Sequence, residues 1–301
     1  MRLPALGESA AEEFNLATER RVGEQVMREV RRDPDYLDDP VLLEYLQALW
    51  QPLVAAARAR GDIGPELDGA FPFEAFLVRD RSVNAFALPG GYVGVHLGLM
   101  ALTASADELA SVLAHELSHV TQRHIARSVA AAQRSSTASL VATLLGVVLA
   151  ARASSPDAAQ AAIMGGQAAA LQAQLNFSRD MEREADRNGW GVLVQAGFAP
   201  SGMVGMFEKL DQSNRLNDSG GFPYLRSHPL TTDRVGEAQQ RVAAAPAAGP
   251  APVPLMRHGL MQARARVLMD PSVASLRRLQ DTQARGDAPA RERGVALYTR
   301  A

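Results

Sequence analysis

A run of eight residues, LAHELSHV from Leu113 to Val120, constrains this chain more than any other feature of its sequence. His115 and His119 are four residues apart, which places both imidazoles on one face of an α-helix, about 5–6 Å apart at Cβ. Glu116 lies about 100° further round that helix, where its carboxylate can overhang an ion without binding it. The pattern indicates either a helix with two solvated histidines or a helix that holds a metal ion beside a general base.

A catalytic zinc ion takes three protein ligands and keeps one position open, so two histidines are not sufficient. The chain contains no cysteine, which excludes disulfides and thiolate sites and leaves His, Asp and Glu as ligand types. In the stretch SRDMEREADRNG, Glu182 and Asp186 share a helical face that Gly189 continues. Glu182 is the candidate third ligand, and Asp186 can accept a hydrogen bond from the far nitrogen of a ligating histidine. Gly189 can let the two helices approach closely, whereas Glu184 is expected to be an ordinary exposed charge.

The remaining pattern predicts a mostly helical α+β fold with a small sheet beside the histidine-bearing helix. Residues 8–60 are rich in helix formers, with breaks at Asp33-Pro34 and Asp39-Pro40. Short strands are predicted at Phe73–Val78, Val83–Leu88 and Tyr92–Leu97, the last two forming a hairpin around Pro89-Gly90-Gly91.

Two longer helices follow the predicted sheet. The first begins at Ser105, where Glu108 completes a capping-box pattern, and is expected to continue to about Gln133. The second covers roughly Asn176–Ala196 and ends at Gly197. Because both carry candidate ligands, their packing against each other would create the site.

Composition divides the 301 residues into three parts. Residues 1–242 are expected to form the main domain, the Ala- and Pro-rich residues 243–254 a linker, and 255–301 a further helical segment. The net charge of −2 gives no indication of a nucleic-acid partner.

The most apolar stretch, LVATLLGVVLAARA at Leu140–Ala153, is shorter than the roughly 20 residues needed to span a bilayer. The segment 140–172 is therefore left as a lid, a peripheral membrane contact or a dimer contact. The first residues lack the apolar run of a signal peptide, which indicates a cytoplasmic protein or a signal that is not part of this chain.

Four stretches of the chain carry a resemblance to a known family: HELSHVTQRHIAR, EREADRNG, NAFALPGGYVGVHLGLM and SHPLTTDR. Together they resemble the zinc metallopeptidases that include the HtpX proteases and the CAAX prenyl endopeptidases. The likeness covers residues 8–242 and is greatest to the periplasmic branch of Gram-negative bacteria that assists outer-membrane β-barrel assembly. It implies a gluzincin-type domain with one Zn²⁺ per chain, held by His115, His119 and Glu182, with Glu116 as catalytic base.

The same resemblance implies roles for other residues. His228 would reach the zinc ion as a fourth ligand that keeps the enzyme latent. A second possibility is that His228 or Arg234 donates to the oxyanion, and a third is that His228 is a plain loop histidine beside a structural Pro229. Asn84, Ala85 and Phe86 match the strand that binds an extended substrate, although a plain core hairpin is equally consistent with the sequence. The other histidines, His96, His124 and His258, are expected to lie outside the site, with His124 pointing elsewhere on its helix.

These observations favour a zinc-dependent endopeptidase that acts on unfolded or misassembled polypeptides in envelope quality control. The resemblance implies a periplasmic location, a contact with outer-membrane assembly machinery, and a tetratricopeptide-like region that 255–301 would begin. Two alternatives stay open. The first is a chaperone-like scaffold whose peptidase activity is largely latent, and the second is a purely structural zinc site with His228 as a permanent fourth ligand.

Overall fold

The structure is a computed structural model that describes residues 14–131, 179–216, 223–244, 255–273 and 277. The expectations for residues 132–178, for most of the 243–254 linker and for residues 278–301 fall outside the described residues.

The elements before the main sheet are α1 (Leu16–Val30), β1 (Tyr36–Leu37), α2 (Pro40–Arg60) and α3 (Pro65–Ala70). Asn15 caps α1 by accepting a hydrogen bond from the Thr18 N–H at 2.9 Å. Asp39 caps α2 in the same way, accepting from the Leu42 N–H at 2.9 Å. The breaks predicted at the two Asp-Pro pairs are therefore confirmed.

A four-stranded mixed sheet follows, formed with β1 by β2 (Glu74–Val78), β3 (Ala85–Leu88) and β4 (Tyr92–His96). The strand order is β1-β2-β4-β3, with β2 parallel to β4 and the outer strands antiparallel to their neighbours. The predicted β3–β4 hairpin is confirmed, and its turn needs glycine because φ is +77° at Gly90 and +89° at Gly91. In the part of the chain that is described, β3 forms an edge of the sheet.

The central helix of the fold is α5 (Ala106–Thr121), which follows α4 (Leu97–Leu102). It begins as predicted, because the Ser105 hydroxyl accepts a hydrogen bond from the Glu108 N–H at 3.2 Å. Nearly every residue of α5 is buried, since it packs against the sheet, α2 and two later helices. Its polar side chains therefore face other protein groups rather than solvent.

The single helix expected from Ser105 to about Gln133 is wrong. It breaks after α5, and α6 (His124–Ala131) starts in a new direction. Arg123 adopts a left-handed conformation at the break, with φ of +52°. Its guanidinium reaches the buried Glu19 carboxylate at 2.9 Å and the Phe14 carbonyl at 2.8 Å. These tertiary contacts hold a turn that helix propensity alone does not favour.

The later helices are α7 (Arg179–Gln195), α8 (Ser201–Leu216), α9 (Pro223–Ser227), α10 (Thr232–Ala244) and α11 (Leu255–Met269). The close approach predicted for Gly189 is confirmed, because a Cβ there would lie 3.1 Å from the Ala114 carbonyl oxygen and 3.2 Å from His115 Cα. The predicted stop at Gly197 is also confirmed, with φ of +86° just beyond α7. This tight contact brings the two motif-bearing helices together.

The described part of the C-terminal segment packs against the body of the fold. The Tyr45 hydroxyl lies 2.6 Å from Nδ1 of His258, and Arg264 pairs with Asp39 at 2.7 Å. His258 is fully buried between α2 and the end of α4, where its Nε2 lies 2.9 Å from the Thr103 carbonyl. Among the described helices, none has both the length and the apolar character required to cross a membrane.

Candidate metal centre

Four side chains that are far apart in sequence meet in the interior. His115 and His119 come from α5, Glu182 from α7 and His228 from the segment after α9, and all four are buried. One potential ligand atom from each lies within 4.8 Å of the others. The i, i+4 spacing on α5 and the close α5–α7 contact thus produce the convergence that the sequence predicts.

The distances between the four potential ligand atoms are close to those around a tetrahedrally coordinated metal ion. Nε2 of His115 lies 2.9 Å from Nε2 of His119, and Oε1 of Glu182 lies 3.4 Å from the latter. Nδ1 of His228 is 3.0 Å from the same carboxylate oxygen and 3.4 Å from Nε2 of His115. Ligand bonds of about 2.0–2.1 Å in a tetrahedron require atoms roughly 3.3 Å apart, so these four separations are close to those of a four-coordinate metal site.

The electrostatics of the group also favour a cation. Burial acts to raise the pKa of Glu182, but the interaction with His228 and hydrogen bonds from His115 and His119 hold it well below 4.5. Burial lowers the pKa of His119 well below 6.5. Burial also acts to lower the pKa of His115, but the contacts of this ring with Asp186 and Glu182 outweigh burial and raise the pKa to about 10. An ionised carboxylate and a neutral His119 imidazole are the forms in which these groups bind a metal.

Glu116 lies beside this group without belonging to it. Its side chain is fully buried, and neither of its oxygens finds a hydrogen-bond partner among the described residues. Nε2 of His228 lies 3.5 Å from its Oε1. A buried carboxylate without hydrogen bonds lowers the stability of the fold. Such groups are common at sites arranged for chemistry rather than for stability.

His115 is held from behind by a buried ion pair. Its Nδ1 lies 2.9 Å from Asp186, whose two oxygens accept hydrogen bonds of 2.6 and 2.9 Å from Nε and Nη2 of Arg234. Nη1 of Arg234 reaches the Pro229 carbonyl and lies 2.8 Å from Oε2 of Glu182. We call His115, Asp186 and Arg234 the inner support. The arrangement expected for Asp186 is present, and Arg234 is part of it.

His119 is held by a longer chain of contacts. Its Nδ1 lies 2.8 Å from Nδ1 of His124, whose Nε2 is 3.3 Å from Glu184. Arg127 pairs with the same carboxylate at 2.9 Å. We call His119, His124, Glu184 and Arg127 the outer support. The expectation that His124 points away from the site is therefore wrong, because the break at Arg123 turns it back towards His119.

No spacing rule in the sequence signals the outer support. On an uninterrupted helix a residue five positions after His119 lies about 140° away from it, so His124 would face elsewhere. Glu184 likewise reads as an exposed charge, although its side chain is only 28% exposed. The contact between His124 and Glu184 depends on the turn at Arg123, which Glu19, more than 100 residues earlier, holds in place.

His228 is fixed by its own short helix. Its ring stacks on Tyr224, with centroids 4.6 Å apart and planes inclined by 27°. Its backbone N–H donates a hydrogen bond to the Tyr224 carbonyl. Nδ1 faces the other three ligand atoms while Nε2 faces Glu116. Burial raises the pKa of Tyr224 well above 10, with further contributions from the charges of Glu116 and Glu182. The Tyr224 side chain therefore stays neutral beside the site.

The edge strand β3 packs against α5, the helix that carries His115 and His119. Asn84 precedes the strand, and its carbonyl accepts a hydrogen bond from the His96 N–H at 3.1 Å. Ala85 is buried, whereas Phe86 is half-buried and meets His96 edge-on at 5.8 Å. The side-chain oxygen of Asn84 is buried and lacks a hydrogen-bond partner among the described residues.

Comparison with known proteins places this geometry in a family. The profile of peptidase family M48 matches residues 44–242, which include all four potential ligands and Glu116. The chain belongs to peptidase family M48. M48 members are metal-dependent peptidases, and within the described residues the buried His-His-Glu-His group is the one that could hold a metal ion.

Several named proteases are similar to this chain. The putative beta-barrel assembly-enhancing protease of Vibrio cholerae is 39% identical over 241 residues, covering 80% of this chain and 47% of the relative. The beta-barrel assembly-enhancing protease of Escherichia coli is 36% identical over 239 residues, covering 79% and 47%. The mitochondrial metalloendopeptidase OMA1 of Schizosaccharomyces pombe is 31% identical over 172 residues, covering 56% and 46%. The chain spans about half the length of these relatives.

Proposed function

We propose that this chain is a zinc-dependent endopeptidase that cleaves unfolded or misassembled polypeptides. The observation that carries the proposal is a buried Glu116, without a hydrogen-bond partner among the described residues, next to four ligand atoms that could share one metal ion. A purely structural zinc site needs no such carboxylate. Imidazole and carboxylate ligands suit zinc, and the ligand set contains no thiolate.

In this proposal His115, His119 and Glu182 hold the ion, and Glu116 carries the proton. Bound zinc supplies a Lewis acid that polarises the scissile carbonyl and acidifies the attacking water. Glu116 accepts the proton of that water and delivers it to the leaving amine. Its burial keeps bulk water away from the carboxylate, and its lack of other partners leaves both oxygens available for the transfer.

His228 gives the site a latent form. Since its Nδ1 faces the ligand group and its Nε2 faces Glu116, the ring occupies the region in which the attacking water would have to lie. Hydrolysis then requires the segment after α9 to move away. In the displaced state Nε2 could instead donate to the oxyanion. Arg234 is assigned a positioning role in place of the oxyanion role, because its donors are engaged by Asp186, Glu182 and Pro229.

The proposed binding site for the substrate backbone is the free edge of β3, with which no described strand pairs. Because the Asn84 carbonyl is bonded to β4, the alternation of antiparallel strands turns the backbone groups of Ala85 and Ala87 towards the free edge. An extended peptide can pair there as an additional strand. The buried side-chain oxygen of Asn84 is available as a further acceptor for a substrate N–H.

The relatives' names support a cellular role. Two are named for enhancing β-barrel assembly, and we propose that this chain acts in the periplasm, in quality control beside the outer-membrane assembly machinery. Residues 1–242 would be the peptidase domain, 243–254 a linker and 255–301 the start of a tetratricopeptide-like region.

A chaperone-like role is the second candidate, and the position of His228 favours it. A site blocked in its resting state would bind polypeptides more often than it cleaves them. Binding by the edge strand does not need zinc, so a chaperone role should survive loss of Glu116 and of the metal ligands.

A peptidase assay on the zinc-loaded protein with labelled, unfolded casein tests the proposal. Glu116→Gln should retain one zinc ion per chain and lose about 100-fold or more of the hydrolysis, because it removes the general base. His228→Ala should cleave faster than the wild type if His228 blocks the site, and more slowly if it serves only as an oxyanion donor. Cleavage by Glu116→Gln at the wild-type rate would rule out the assigned base.

A further inference from the structure

The outer support contains a buried histidine that the proposed chemistry does not use. His124 has no exposed surface, yet its Nδ1 lies 2.8 Å from Nδ1 of His119. That nitrogen of His119 is the one that faces away from the ligand group. The contact therefore reaches the proposed metal centre from behind, through an imidazole rather than through a carboxylate.

Metal binding fixes which nitrogen in this contact carries the proton. When Nε2 of His119 binds a cation, the neutral ring carries its proton on Nδ1 and must donate it. Nδ1 of His124 must then be the acceptor, so that ring carries its proton on Nε2. That proton faces Glu184, whose carboxylate oxygen lies 3.3 Å from Nε2 of His124. The ring N–H protons of His119 and His124 then both point away from the metal.

The backbone is arranged to make this contact. Arg123 holds a left-handed conformation that non-glycine residues rarely adopt, and the buried Glu19 carboxylate keeps its side chain in place. Without the turn, His124 would lie on another face of the helix from His119. Arg127, one turn along α6, then pairs with Glu184 on α7 and closes the chain at the surface.

We propose that His124 is a positioning residue: as the acceptor for the outward-facing N–H of His119, it fixes the tautomer and the ring orientation in which His119 binds a divalent cation. The inference rests on the metal site of the proposed function but assigns a residue outside the ligand set and the catalytic base. Loss of an acceptor behind a ligating histidine typically weakens metal binding about 10–100-fold.

The test is a zinc-affinity titration of the whole chain against a chromophoric chelator. His124→Leu removes the acceptor at similar volume, whereas His124→Asn restores an oxygen acceptor near the position of Nδ1. His258→Leu is the matched control, because His258 is equally buried but bonds Tyr45 and Thr103 instead. We expect about 10–100-fold weaker zinc binding for His124→Leu, at least partial recovery for His124→Asn and wild-type affinity for the control.

A second readout keeps the proposal testable if His124→Leu does not fold. In the zinc-loaded wild type, nitrogen-15 NMR of the His119 ring should show a slowly exchanging proton on Nδ1, and His124→Asn should shift that signal. Zinc affinity within twofold of the wild type in folded His124→Leu, or a His119 ring without a proton on Nδ1, would overturn the proposal. If the wild type binds no zinc, the proposed function and this inference both fail. If the wild type binds zinc and folded His124→Leu binds it equally well, only this inference fails.

Discussion

The two histidines of one helical turn are supported in different ways. Behind His115 stands a carboxylate that is paired directly with a buried arginine, whereas behind His119 stand a second imidazole, a half-buried glutamate and the partly exposed Arg127. The inner support ties α5, α7 and α10 together with charges that water does not reach. The outer support ends at the surface. The comparison separates two tasks, because the first must stabilise the fold while the second mainly orients a ligand.

The largest effect should follow from breaking the inner support. Arg234→Met leaves the buried carboxylate of Asp186 without its main cation and removes the guanidinium contact to Glu182, which typically costs about 3–5 kcal/mol. Urea unfolding of the metal-free protein measures the loss.

Arg241→Met is the matched control for this prediction. It lies on the same helix but pairs with a partly exposed Glu237, so it should cost about 1 kcal/mol or less. If both variants lost similar stability, the inner support would not be the structural one.

An intermediate effect should come from the contact that both supports share. Glu184 and Asp186 lie on α7, and Gly189 lets that helix meet α5 backbone to backbone. Gly189→Ala would place a methyl group 3.1 Å from the Ala114 carbonyl oxygen, which should cost about 1–3 kcal/mol and also weaken zinc binding.

The control is Gly236→Ala on α10, where an added Cβ meets nothing within 4 Å. It should be neutral or should stabilise the helix by up to about 1 kcal/mol. Equal destabilisation by the two alanines would mean that helix α7 is not held by this close approach.

How far the sequence leads depends on whether a feature is local. The spacings His115–His119 and Glu182–Asp186, the hairpin glycines and the Ser105 cap are local, and the structure contains each of them. The outer support is not local, since it needs a helix break that no breaker residue marks. The sequence offers Arg234 as one possible oxyanion donor, and only the fold brings its side chain behind the ligands.

The smallest effect should distinguish the two supports by their response to salt. Glu184→Gln removes a partly exposed charge, so zinc binding should weaken by only about 1.5- to 5-fold at low ionic strength. That difference should vanish near 1 M salt, where the Debye length is about 3 Å.

The comparison variant for this prediction is Asp186→Asn, which should lose about 10–100-fold in affinity. Because Asp186 is buried, the loss should persist at high salt. Chelator titrations at about 0.01 M and 1 M sodium chloride make the measurement. An identical salt response in both variants would contradict the division into a buried and a surface-reaching support.

The central claim is that His115, His119, Glu182 and His228 share one metal ion. Zinc-edge X-ray absorption on the purified wild type and on Glu182→Ala, with the zinc content of each determined by native mass spectrometry, tests it most directly. One zinc per chain is predicted for the wild type, with nitrogen and oxygen ligands at about 2.0–2.1 Å, and a weaker, rearranged site for the variant. Wild-type protein without stoichiometric metal, or a spectrum unchanged by Glu182→Ala, would contradict the account.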